Sequence, residues 1–235
     1  MKENYESVLK ANIEFHNLHA REYDRNIMGG HFKRAEKIFE KYKGDRFLDF
    51  GCGTGKQLKI AQKYFDEVYG IDCSSRMLDI AKKETPNVVL GDIANTSYQS
   101  NYFDFINCFS VLHHLYEVNP VIEEAYRLLK PNGIFYTDND PNQSFYKLFG
   151  WWLKIRRFFT GGYKDELKKI AEYHQKNGID PEYLKKQFIR IGFKKAEINY
   201  SYPEKPDLFT KILIFLNKFL KSNSFYYYFS IIAQK

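Results

Sequence analysis

The 235-residue chain has no run of about 18 apolar residues, so no membrane-crossing helix is expected. Its opening stretch, Met1-Lys2-Glu3-Asn4-Tyr5-Glu6, carries acids where a secretory leader needs apolar residues. Cysteine is scarce. Cys52, Cys73 and Cys108 are scattered in or just after apparent strands, in neither a metal-ligand spacing nor a disulfide framework, so no metal site is expected. They read as small buried hydrophobes of a protein from a reducing, cytoplasmic compartment. Internal repeats, low-complexity tracts and a Walker phosphate loop are absent too, which removes solenoids, disordered tails and P-loop nucleotide hydrolysis.

What is there suits one α/β domain. Hydrophobic residues make up 44% of the chain and aromatics 18%, enough to bury a sizeable core. The net charge of +7 is unevenly placed: residues 1–142 hold 18 Lys+Arg against 21 Asp+Glu, and residues 143–235 hold 18 against 8. The cationic excess therefore belongs to the back of the chain. It suits nucleic acid, anionic lipid, an acidic substrate or simply a solvated surface.

Residues 5–43 read as a helical cap. Apolar runs then recur at Arg46–Phe50, Glu67–Ile71, Asn87–Leu90, Phe103–Phe109 and Gly133–Asp138, separated by helix-length segments at Gly55–Tyr64, Ser75–Lys83 and Pro120–Leu129. That alternation predicts a Rossmann-like, doubly wound α/β sheet, with Lys130-Pro131-Asn132-Gly133 as a turn. The rhythm breaks at residues 139–178, an aromatic and basic insertion read as a lid. Residues 179–235 then return to the sheet, with a helix at Pro181–Ile191, a strand at Phe193–Tyr200, an amphipathic helix at Leu208–Lys221 and a β-rich run at Ser224–Ala233.

The chemistry concentrates in Leu48-Asp49-Phe50-Gly51-Cys52-Gly53-Thr54-Gly55. Glycines between a strand and a helix permit positive φ and close approach of a ligand to the backbone, beside the positive end of the helix. A dinucleotide fingerprint needs a glycine where Lys56 stands. Further along, Asp72 ends the second apolar run, where it can accept hydrogen bonds from ribose hydroxyls. Asp92 ends the third, where it can accept from an exocyclic adenine amine, with Ile93 beside the ring. Ser74 is a better cap than Asp72 for the helix that follows.

In their order, Leu48–Gly55, Asp72, Gly91-Asp92-Ile93, Phe103–Cys108 and Leu128–Gly133 resemble the class I S-adenosylmethionine-dependent methyltransferases over about Tyr23 to Asp138. The resemblance implies seven strands, mostly parallel with an antiparallel last one, and S-adenosylmethionine as cofactor. It implies that Asp49, Gly51, Cys52 and Gly53 hold the methionine portion, Asp72 with Cys73 the ribose, and Asp92 with Ile93 the adenine. Phe109 and Ser110 would floor the site near the sulfonium, with Tyr23 folded over it.

Within that family, Phe109-Ser110-Val111-Leu112-His113-His114 looks like the small-molecule and quinone or lipid branch, and His113 or His114 is a candidate general base. Asp138 and Asp140 could orient substrate or serve as caps, and Asn139-Asp140-Pro141-Asn142 reads as a turn. The acceptor is expected to be a small molecule, hydrophobic or lipid-linked. Trp151, Trp152, Phe158 and Phe159 interleave with Lys154, Arg156 and Arg157, and Lys211, Lys218 and Lys221 share one side of the 208–221 helix. Such patterns suit peripheral contact with an anionic membrane or a lid over an apolar acceptor. The alternatives are RNA or protein methylation through the basic C-terminal region, and a non-catalytic cofactor-binding domain.

Overall fold

A computed structural model describes residues 4–26, 31–159, 166–171, 173, 174, 177–203 and 205–235, without the side chains of 23–26, 31, 156–159, 166, 168 and 169. Two helices come first, α1 (Tyr5–Asn26) and α2 (His31–Lys41), then β1 (Gly44–Phe50), α3 (Lys56–Ala61), β2 (Phe65–Asp72), α4 (Ser75–Ala81), β3 (Val88–Leu90) and β4 (Phe103–Phe109). A 3₁₀ turn, Leu112–His114, leads to α5 (Asn119–Leu128) and β5 (Leu129–Pro141). The chain continues through α6 (Gln143–Phe159), α7 (Glu166–Ala171), α8 (Pro181–Ile191), β6 (Lys195–Ser201), α9 (Leu208–Leu220) and β7 (Tyr228–Gln234). Among the described residues the strands form one seven-stranded sheet in the order β3-β2-β1-β4-β5-β7-β6. The pairs from β3 to β5 are parallel, and β7 runs antiparallel to both β5 and β6.

The expected doubly wound architecture is therefore present, and its cause is visible strand by strand. A parallel sheet is covered on both faces, so its strands read as continuous apolar runs. Phe47 and Phe105 stack with centroids 5.6 Å apart, and Phe39 of α2 meets both edge-on on that face. Leu48, Ile106 and Phe135 point to the other, beneath α5 and α8, with Ile122 and Phe188. Removing a ring such as Phe47, which is fully buried, should destabilise the fold by roughly 3–5 kcal/mol.

Local signals set several boundaries. The Ser74 hydroxyl accepts from the Met77 N–H at 3.2 Å, capping α4 as expected. The Asp180 carboxylate caps α8, and Asp207 does the same for α9 by accepting from Thr210 N–H at 2.8 Å. Lys130–Gly133, expected as a turn, falls within the bounds of β5 but has no ladder partner in β4 or β7: the β4 register passes from Phe103↔Leu129 to Phe105↔Ile134, and Asn132 has φ 66°. The turn preference is met there as a bulge. Asn139–Pro141, also expected as a turn, is a bulged continuation of β5, with Asn139 at φ 65° and the β7 register slipping between Thr137 and Asp140. There the ladder to β7 outweighs local turn preference.

Candidate active site

At the carboxyl end of β1 the chain turns through Gly51 and Gly53, at φ +70° and +52°. A Cβ on Gly51 would lie 2.6 Å from Val111 Cγ2, so that glycine serves packing. A Cβ on Gly53 would meet nothing within 4 Å; its bare backbone faces an open chamber, the arrangement a ligand needs to approach closely.

Asp72, at the tip of β2, fastens this loop. One carboxylate oxygen accepts from Gly53 N–H at 2.8 Å and the other from Ser74 N–H at 2.8 Å. Burial raises its carboxyl above the ordinary range despite those donors. Each oxygen keeps acceptor capacity for a ribose hydroxyl. Asp92 sits beyond β3. It accepts from Ala94 N–H at 2.9 Å through one oxygen and from the Tyr5 hydroxyl through the other.

Two chambers open here. The first, about 810 Å³ with its mouth included, is walled by Asp72, Cys73, Asp92 and Ile93 on the sheet side and by Tyr5, Leu9, Asn12 and His16 of α1 on the other. The second, about 620 Å³, is walled by Asp49, Cys52, Gln57, Phe32 and Asn139. They share Gly51, Gly53, Phe109 and Ser110. Every residue expected at the cofactor thus lines one chamber or both, except Tyr23, whose side chain lies outside the described residues. Among the described residues the roof comes from the first half of α1, held by Asn12 Nδ2 donating to the His114 carbonyl at 3.0 Å and Ser74 Oγ donating to Asn17 Oδ1 at 2.8 Å.

The second chamber has a distinctive electrostatic character. Asp49 is buried and accepts from Asn107 Nδ2 at 2.7 Å. Burial, reinforced by the nearby Asp72, outweighs that donor and pushes its carboxyl up to about 8. Both amide atoms of Gln57, with Asn139 Oδ1, are buried and lack a hydrogen-bond partner among the described residues. Such atoms call for a polar ligand. A buried acid repels the pyrophosphate of a dinucleotide but welcomes an ammonium, as carried by the methionine half of S-adenosylmethionine. Sequence reasoning missed Tyr5, Asn12, His16, Gln57 and Asn107 as site residues. Asn107 had a signal, being the lone amide in the apolar run of β4; Tyr5, Leu9, Asn12 and His16 recur at helical spacing.

The expected histidines take different positions. His114 lines the first chamber. Its Nδ1 lies 2.9 Å from the Ala171 carbonyl; a carbonyl only accepts, so Nδ1 carries a proton. His16 meets it edge-on at 5.1 Å, with its own basicity pushed down to about 3, first by burial and then by the neighbouring histidines. His113 is buried behind, its Nδ1 2.9 Å from Asp140 Oδ1, and does not number among the chamber-lining residues. Asp140 also accepts from Thr137 Oγ1 at 2.8 Å, and burial pushes it up to about 7. Asp138, fully buried, accepts from Arg34 Nε and an Arg34 terminal nitrogen at 2.6 and 2.7 Å and from the Tyr136 hydroxyl at 2.6 Å. Both acids are thus committed to protein partners. Among the described residues no cluster of His, Cys, Asp and Glu could hold a metal ion.

A doubly wound sheet with Asp72 at the tip of its second strand and Asp92 just beyond its third, both lining one chamber beside a glycine loop, is the arrangement expected for the adenosylmethionine class. Residues 48–137 match the methyltransferase domain family. The chain is 27% identical over 180 residues to a demethylmenaquinone methyltransferase of Staphylococcus saprophyticus, covering 71% of this chain and 77% of that one. Its fold is similar to that of a SAM-dependent methyltransferase from Archaeoglobus fulgidus, at TM-score 0.63 and 22% identity, covering 87% and 92% of the two chains. It is also similar to phosphoethanolamine N-methyltransferase 2 of Haemonchus contortus, at TM-score 0.56 and 20% identity, over 86% of this chain and 52% of that one. The chain is an S-adenosylmethionine-dependent methyltransferase, and S-adenosylmethionine is its cofactor.

Proposed function

We propose that this enzyme methylates a small, hydrophobic acceptor of the quinone or lipid-linked kind, with His114 as general base. The observation that carries the reading is the wall of the first chamber. Val8, Leu9, Val111, Leu115 and Tyr116 make it largely apolar, and His114 is set among them. The likeness to a demethylmenaquinone methyltransferase supports the same class of acceptor.

S-adenosylmethionine, when bound, supplies a methyl group on a sulfonium, an electrophile already activated. The chain's own residues must then align the acceptor, exclude water and remove a proton. Asp49 and Gln57 would hold the methionine end, Asp72 the ribose, and Asp92 with Ile93 the adenine. Phe109 and Ser110, shared by both chambers, would lie beside the sulfonium. His114 Nε2 would take the acceptor's proton as the acceptor's electron pair forms its bond to the methyl carbon and the sulfur keeps the pair of the broken bond.

The experiment is transfer of labelled methyl into cell extracts separated into lipid, small-molecule, protein and RNA fractions. Label in the lipid or small-molecule fraction is the expected result; label confined to RNA or protein overturns the reading. His114→Ala should lower kcat by about 10²–10⁴ with little change in cofactor affinity.

A further inference from the structure

Neither α6 nor α9 contains an aspartate or glutamate. Their inner faces meet each other: Trp152 stacks on Phe209 with centroids 4.2 Å apart, and Phe145, Leu153 and Leu213 fill the space beneath. Their outer faces carry exposed apolar stripes, Leu148, Trp151 and Ile155 on α6, and Leu208, Ile212, Phe215 and Phe219 on α9. The exposure is large, 60% for Trp151 and 72% for Phe219.

Both stripes bear the same edging. Lys147 precedes Leu148 and Lys154 precedes Ile155; Lys211 precedes Ile212 and Lys218 precedes Phe219. All four lysines are exposed. On α9 the pair stands seven residues apart, about two turns, which sets both lysines along one flank of the apolar stripe; α6 is kinked at Phe149, between its two lysines.

We propose that α6 and α9 form a docking surface for an anionic lipid bilayer. The stripes enter the interfacial layer while the lysines meet the headgroups. Nucleic acid would reward the lysines but not exposed Leu148, Ile155, Leu208 and Ile212. A second copy joined by a two-fold axis would bring like-charged edges together. A lipid surface satisfies both features.

The position of the surface gives it a purpose. Pro141 at the end of β5 and Ser201 at the end of β6 both pair with Tyr228 across β7. Helices α6 and α9 therefore leave from the carboxyl edge of the sheet. The glycine loop leaves β1 at that same edge, since β1, β4 and β5 are parallel. Docking through α6 and α9 places the cofactor edge beside the bilayer, where a hydrophobic acceptor partitions. That last link rests on the proposed acceptor class; the docking itself does not.

Flotation with vesicles tests the surface without any methyl transfer. The protein should float with vesicles of equimolar phosphatidylcholine and phosphatidylglycerol, stay down with phosphatidylcholine alone, and release as salt rises. Its tryptophan emission should shift to the blue on binding. Trp151→Ser with Phe219→Ser, and separately Lys211→Gln with Lys218→Gln, should each lower vesicle partition about tenfold or more, with S-adenosylmethionine affinity unchanged. No flotation with anionic vesicles overturns the proposal, as does flotation that neither double variant weakens. A concentration-dependent dimer abolished by the same variants would assign the face to a second copy instead.

Discussion

Asp72 and Gly53 are joined by a 2.8 Å hydrogen bond from the glycine N–H to a carboxylate oxygen. The acid proposed to take the ribose also shapes the loop proposed to take the methionine. Asp72→Ala should therefore weaken S-adenosylmethionine by about 30- to 1,000-fold, since a charged acceptor and its loop anchor are lost together. Asp72→Asn keeps one acceptor oxygen and should fall in between. Titration calorimetry measures both, and an unchanged affinity in the alanine variant would remove the site assignment.

Tyr5 donates its hydroxyl to the oxygen of Asp92 that faces α1. An adenine amine must share or replace that contact. Tyr5→Phe should raise the affinity for S-adenosylhomocysteine roughly two- to tenfold, the worth of one neutral hydrogen bond. Asp92→Ala should lower it. Equal losses in both variants would mean that the tyrosine helps to bind ligand.

Asp49 and Asp140 make stability depend on pH. Burial holds Asp49 at about 8 and Asp140 at about 7 in the folded protein, whereas an unfolded chain releases these protons near pH 4. The native state thus binds more protons across that interval, and stability falls as pH rises from about 4 through about 8. Asp49→Asn should stabilise the ligand-free fold by roughly 1–3 kcal/mol at about pH 8, while weakening cofactor binding. Thermal melts at about pH 5 and pH 8 test the sign; an asparagine variant that melts lower at the higher pH contradicts it.

Arg34 of α2 is the charged partner of buried Asp138. Arg34→Ala leaves that carboxylate with the Tyr136 hydroxyl and the Asn139 N–H as donors. The variant should lose roughly 2–4 kcal/mol in urea unfolding, and Arg34→Ala with Asp138→Asn should recover part of it. Additive losses in the double variant would count against the pair as the source.

The sheet was readable because parallel strands buried on both faces announce themselves as apolar runs, and Asp72 and Asp92 stand where two of those runs stop. Asn107 was readable in principle, as an amide with no reason to occupy a core strand other than a partner. The roof was not. Tyr5, Asn12 and His16 mark one face of a helix, but helical spacing says nothing of which neighbour receives that face, and the expectation settled on Tyr23. The bulge at the end of β5 was hidden for a similar reason, since Asn139 is a turn former in a segment that β7 holds in its ladder. Both features concern contacts between segments distant in sequence, which local chemistry does not encode.

Because α1 supplies one wall of the chamber proposed to take the adenosyl group, ligand exchange on that reading depends on how firmly that helix is seated. Asn17 on Ser74 and Asn12 on the His114 carbonyl are its polar fastenings, and Phe15 packs with Ala171 of α7. With the cofactor in that chamber, loosening Asn17 should shorten the residence of both spent and fresh cofactor.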